Sequence, residues 1–146
     1  MVLSIDNVRA VACCNLVVDA LDLGSVNPQA TLVLYSGTVP ALVDSALSGN
    51  LVLGQLAMTA PGSGGAFGDA VDANPGATVT ANAISDDTLA DNSGTASFYR
   101  AFDRNNVPVI QGTAGTVGTS LILNNADIQA GSIISVSSLV FTFPEG

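Results

Sequence analysis

The stretch Thr95-Ala-Ser-Phe-Tyr-Arg-Ala-Phe-Asp103, the break Arg104-Asn105-Asn106 and the return Val107-Pro-Val-Ile-Gln111 decide the fold class. Aromatic residues fill the first arm, β-branched residues fill the second, and a short polar connection lies between them, which is a hairpin signal. Pro108 lacks an N–H and favours an edge, or a ladder position that needs no donor. Towards the C-terminus, Thr119-Ser-Leu-Ile-Leu-Asn124 reads as a strand, residues 125–131 as a polar turn, and Ser132-Ile-Ile-Ser-Val-Ser-Ser-Leu-Val-Phe-Thr-Phe143 as a long last strand. Its alternation slips between Val136 and Leu139, which predicts either a bulge or a segment sandwiched between two apolar surfaces.

Towards the N-terminus the same pattern recurs. Ala30-Thr-Leu-Val-Leu-Tyr35, residues 50–59 and Ala77-Thr-Val-Thr-Ala-Asn-Ala-Ile84 read as strands, with Gly54 a bend or bulge in the second. Residues 39–49 read either as a helical turn or as an extended link docked by Leu42, Val43 and Leu47. Residues 60–76, with Gly62, Gly64, Gly65 and Gly68 and two prolines, form the most loop-like region, anchored by Phe67.

Only one segment has helical periodicity. Over residues 7–23, Ala10, Cys14, Val17 and Leu21 form one stripe, widened by Cys13 and Val18, while Asn15, Asp19 and Asp22 lie opposite. Asp6 caps the start and Gly24 stops the last turn. The fold expected for residues 1–146 is therefore mainly β: a single domain with an antiparallel β-sandwich, of plain or jelly-roll-like topology, over 30–143, and one N-terminal amphipathic helix packed on it.

Composition restricts the chemistry. The 146 residues carry a net charge of -9, with 3 Lys plus Arg (all Arg), 12 Asp plus Glu and no His. Such a chain repels nucleic-acid phosphates. It has no imidazole base, no His-containing triad and no lysine for a Schiff base or a phosphate clamp. The glycines of residues 62–68 precede no Lys and no strand-loop-helix frame, so they are not a phosphate cradle. No apolar run reaches the length of a membrane span, and the N-terminus does not resemble a secretory leader. Cys13 and Cys14 read as small buried helix thiols.

The remaining candidates are acidic. Asp86, Asp87 and Asp91 share one loop and are weak candidates for a cation, although the spacing is not that of a calcium loop. Asp69 and Asp72 each need a distant carboxylate to act as a glycosidase pair, and flexible surroundings argue against that. Arg100, between Phe98 and Phe102, is a candidate interface anchor, or a partner for Asp103 or Asp91; Arg9 and Arg104 read as solvated. No catalytic residue and no cofactor is expected, and a structural or interaction protein is the leading class.

The segments Arg9-Ala-Val-Ala-Cys-Cys-Asn-Leu-Val-Val-Asp-Ala-Leu-Asp22, Ala77–Ile84, Gly94–Asp103 and Ala130–Pro144 together resemble a family of small virion structural proteins of tailed bacteriophages. The resemblance implies a capsid decoration or cement protein on the virion surface, present in the host cytoplasm during assembly. Its partners would be the major capsid protein and further copies of itself, with a trimer favoured, and neither nucleic acid nor membrane. A tail or neck component, or a carbohydrate-binding module displayed on the particle, is the alternative. The contact residues expected under this reading are Gly62, Gly64, Gly65, Phe67, Asp69 and Arg100.

Overall fold

A computed structural model describes residues 4–145. Helix α1 (Asn7–Asp19) continues as a 3-10 turn over Ala20–Asp22. Asp6 caps it, accepting the Arg9 N–H at 3.0 Å and also pairing with the Arg9 guanidinium. Gly24, at φ 111°, redirects the chain after the helix. Nine strands follow: β1 (Thr31–Ser36), β2 (Val52–Ala57), β3 (Val71–Asp72), β4 (Ala77–Thr80), β5 (Gly94–Phe102), β6 (Pro108–Gly115), β7 (Leu121–Leu123), β8 (Asp127–Ile128) and β9 (Val136–Phe143).

The strands form one hydrogen-bonded path, β2-β1-β5-β6-β7-β9-β4-β3, with β8 attached to the start of β5. This corrects the expected antiparallel sandwich in two respects. The path is open and continuous rather than split into two stacked sheets, and it is mixed, because β6 and β7 run parallel. That pair overlaps only at Ala114–Leu121 and Gly115–Ile122. So short an overlap allows the tight 116–120 loop to join parallel neighbours that would otherwise need a long crossover. The hairpin of β5 and β6 forms as the sequence indicates. Asp103 closes it by accepting the N–H groups of Asn105 and Val107, both at 2.8 Å. In β9 the register shifts opposite Ile122 and Leu123, between Ser138 and Val136, where the alternation slips.

One apolar cluster joins Leu32 and Leu34 of β1, Leu53 and Leu56 of β2 and Tyr99 of β5 to Val79 of β4 and Leu139 of β9. Strands far apart along the path thus share a core, so the sheet bends around it. Helix α1 packs against β3, β4 and β9 and adds Ala10, Cys14 and Val18 to the same core. Val18 rather than Val17 completes the buried stripe, and Cys14 is buried while Cys13 is half-buried. Burial also pushes the Cys14 thiol pKa up, which keeps the thiol protonated.

The β2 edge of the path is not left bare. Residues 85–92 run beside it as irregular backbone: Ser85 N–H donates to the Ala57 carbonyl at 2.8 Å and Asp91 N–H to that of Leu53 at 2.8 Å. Asp87 Oδ2 accepts the Gln55 N–H at 3.0 Å, and the Asp87 backbone exchanges two hydrogen bonds with Ile134 ahead of β9. A Cβ on Gly54 would lie 2.5 Å from both Asp87 Oδ2 and Ile134 Cδ1, so the absence of a side chain there is what lets the segment approach. Covering an edge in this way blocks its use as a template for another strand.

Candidate interaction site

The loop over residues 60–70 is built into the fold by polar side chains. Its 3-10 turn, Pro61–Ser63, ends at Gly64 and is followed by Gly65 at φ 82°. A Cβ at Gly65 would meet Asp22 Oδ2 at 2.3 Å, so both the dihedral and the space require glycine. Asp22, at the end of the helix, accepts the Ala66 N–H at 3.1 and 3.2 Å, and Asn15 accepts the Ala70 N–H at 2.8 Å. Asn82 donates to the carbonyls of Gly64 and Gly65 at 3.2 and 3.0 Å. The two helix residues expected on a solvated face are therefore staples for the loop. Burial raises the Asp22 pKa, opposed by the Ala66 hydrogen bond.

Of the six expected contact residues, Gly62, Gly64 and Asp69 are exposed, whereas Gly65 and Phe67 are buried. Phe67 forms an isolated bridge with Ala81. Arg100 lies on the opposite face of β5 and is 5% exposed. Its Nε donates to Gln111 Oε1 at 2.9 Å, and its Nη2 donates to the carbonyls of Leu42 and Ser45 at 3.3 and 2.8 Å. Gln111 in turn donates to the Pro40 carbonyl at 2.7 Å. The ion pairs weighed for Arg100, with Asp103 or Asp91, are not formed. Residues 39–49 contain a turn, in which the Ser45 N–H donates to the Leu42 carbonyl at 3.1 Å, and they are held over the outer face of the sheet by a guanidinium and an amide rather than docked by Leu42 and Leu47, both exposed. Beneath this strap lies a second small cluster of Val33, Tyr35 and Phe98, with the Tyr35 and Phe98 rings stacked at 4.9 Å.

Arg104 is not free in solvent either, since it donates to the carbonyls of Asn27 at 2.9 Å and Asp22 at 3.4 Å. The acidic loop is organised in the same manner. Asp87 accepts the N–H groups of Gln55 and Leu89, each at 3.0 Å. Among the described residues, no three Asp, Glu, Cys or His side chains come together to hold a metal, so Asp86, Asp87 and Asp91 do not converge as a cation site.

Where β4 and β9 part, a half-open cleft of about 170 Å³ is lined by Thr80, Asn82, Ile84, Val136, Ser137 and Ser138 among others. No charged or aromatic residue lines it. The polar staples were not apparent from sequence because Asn15, Asp22 and Arg104 meet their partners only through tertiary contacts.

The fold is a β-rich, mixed sheet with one N-terminal helix. Against known protein families, curated proteins and solved structures, the chain finds no match.

Proposed function

We propose that this protein is a structural component of a tailed-phage virion that binds the assembled shell from outside, as a decoration or cement protein. The observation that carries the reading is the use made of its ionisable and polar side chains. Asp22, Asp87, Arg100, Asp103 and Arg104 are tied to backbone groups of their own chain, and each fixes a loop. What this arrangement favours is a rigid body that presents loops. Copies seated at three-fold positions of the lattice would bridge major capsid protein subunits and add contact area. A ligand that binds the closed shell but not its dissociated subunits shifts the balance towards the shell. The exposed residues Gly62, Gly64 and Asp69, held on a stapled loop, are the proposed contact.

A displayed glycan-binding module has less support. Such sites present exposed aromatic platforms, and here Tyr35, Phe67, Phe98 and Tyr99 are buried while Phe102, Phe141 and Phe143 are half-buried.

The test is co-sedimentation of the purified protein with shells stripped of it, followed by cryo-electron microscopy of the reconstituted particle. Saturable binding with density on the outer capsid surface is expected, and occupancy should fall as salt rises if a basic capsid patch meets the acidic surface. Density confined to tail or neck, or no binding to shells, overturns the reading.

A further inference from the structure

Helix α1 has a second apolar side. Ala10, Cys14 and Val18 face the core, yet Val8 and Leu16 on the outer face are 78% and 74% exposed, with exposed Ala12 midway between them. Residues four apart lie in one row on a helix surface, so the three form a single stripe. Beside Val8 the surface dips into a shallow hollow lined by Asn7, Val8, Val11 and Asp72. The stripe is symmetric in position about its smallest member, with a large apolar residue one turn to either side of Ala12.

We propose that this stripe pairs with the same stripe of a second copy, the two helices running antiparallel about a two-fold axis at Ala12. Three features select another copy over an unrelated partner. The spacing is self-complementary: with Ala12 at the centre, Val8 of one copy lies level with Leu16 of the other, and the reverse, as a two-fold contact requires. The small Ala12 side chains at the crossing let the helices approach closely. Charge supplies one opposite-sign pair across the two-fold. Among the described residues, Arg9, with a side chain 73% exposed, is the arginine that faces solvent, since Arg100 and Arg104 donate to carbonyls inside their own chain. In the antiparallel pair Arg9 lies one helical turn from exposed Asp19 of the second copy. Asp6 still caps and pairs with Arg9 within each chain, so Arg9 would bridge two carboxylates. This contact does not rest on the capsid reading, and it joins copies in pairs whatever symmetry a particle imposes.

A helix of this length spans about 20 Å, and one such pair buries less than the roughly 1,200 Å² of a standard interface. The dimer is therefore weak.

Sedimentation equilibrium from about 10 μM to about 1 mM tests the contact at one fixed salt concentration, with helicity and Tm as folding controls. Wild type should dimerise, and Leu16→Glu should weaken dimerisation by at least about tenfold. Asp19→Arg should weaken it too, and Arg9→Asp combined with Asp19→Arg should restore it. In a Cys13→Ser background, Ala12→Cys should crosslink across the two-fold under mild oxidation faster than Val117→Cys on the exposed 116–118 loop. A protein monomeric to about 1 mM overturns the proposal, as does a dimer insensitive to Leu16→Glu. Crosslinking at Ala12→Cys no faster than at Val117→Cys overturns the two-fold geometry.

Discussion

Replacing Arg100 with Met keeps most of the unbranched stem but removes every donor that ties residues 39–49 to the sheet. Gln111 Oε1 and the carbonyls of Leu42 and Ser45 then lose their partner. The two short bonds, at 2.9 and 2.8 Å, are charge-assisted, and the third is long at 3.3 Å. Taking the short ones at about 1.5–3 kcal/mol each, offset in part by no longer burying a charge, the net loss is about 2–3 kcal/mol. At this chain length about 3–5 °C of Tm follows each kcal/mol, so the melting point should fall by about 6–15 °C. The loss should also be local before it is global. Amide exchange monitored by mass spectrometry should accelerate over residues 38–48 while the β1, β5 and β6 amides stay protected. Arg100→Lys should recover little, because one ammonium cannot reach acceptors arranged for a guanidinium fork. Unchanged Tm with unchanged exchange over 38–48 would refute the strap. Were such a variant also to associate less with capsids, Arg100 would be an interface anchor instead.

Two further outcomes separate structure from surface in the stapled loop. Gly65→Ala should destabilise the monomer by about 2–4 kcal/mol in urea unfolding, through a left-handed dihedral and a collision with Asp22, whereas Gly62→Ala, whose Cβ meets nothing within 4 Å, should stay within about 0.5 kcal/mol. Equal effects at the two positions would show that the loop is not held as described. Asp22 has a raised folded-state pKa, so the native state binds its proton more tightly than the unfolded chain does. Its contribution to stability is present in full below the unfolded value and lost as pH rises through the folded one. Asp22→Asn keeps an acceptor for the Ala66 N–H without titrating. The stability of wild type relative to this variant should therefore fall as pH rises from about 3 to about 6; a flat or rising difference contradicts the burial argument.

Local signals were legible wherever a segment was self-sufficient. Asp6, the stripe through Cys14 and Leu21, the 104–106 turn and the slip near Val136 act within a few residues, and each has a direct counterpart in the structure. The sheet's connectivity was not legible, because nothing in Ala114 or Leu121 announces a two-residue parallel overlap. The two-residue strands β3 and β8 are too short to show any period. Residues 39–49 read either as a helical turn or as an apolar link for a related reason: the turn is present, with the Ser45 N–H donating to the Leu42 carbonyl, while the bonds that hold the segment reach its carbonyls, which every residue carries. Of the proposed contact surface, the exposed part of the 60–70 loop was visible as glycine-rich sequence. Its anchoring by Asn15 and Asp22 became visible only once the helix lay beside it.

The position of β1, one strand in from the β2 edge, carries a consequence for how the molecule is made. It sits between β2, its next strand in the chain, and β5, which begins about sixty residues after β1 ends. At about 5–20 residues per second, a ribosome releases β1 roughly 3–12 s, and the β1–β2 pair roughly 2–7 s, before β5 begins to follow. Throughout that interval Val33 and Tyr35, later clustered with Phe98 beneath the 39–49 strap, are without their cover. The nascent chain thus passes through a sticky stage set by topology alone. How much soluble protein a cell yields should depend more on that window, and on the chaperones available during it, than on the stability of the finished fold.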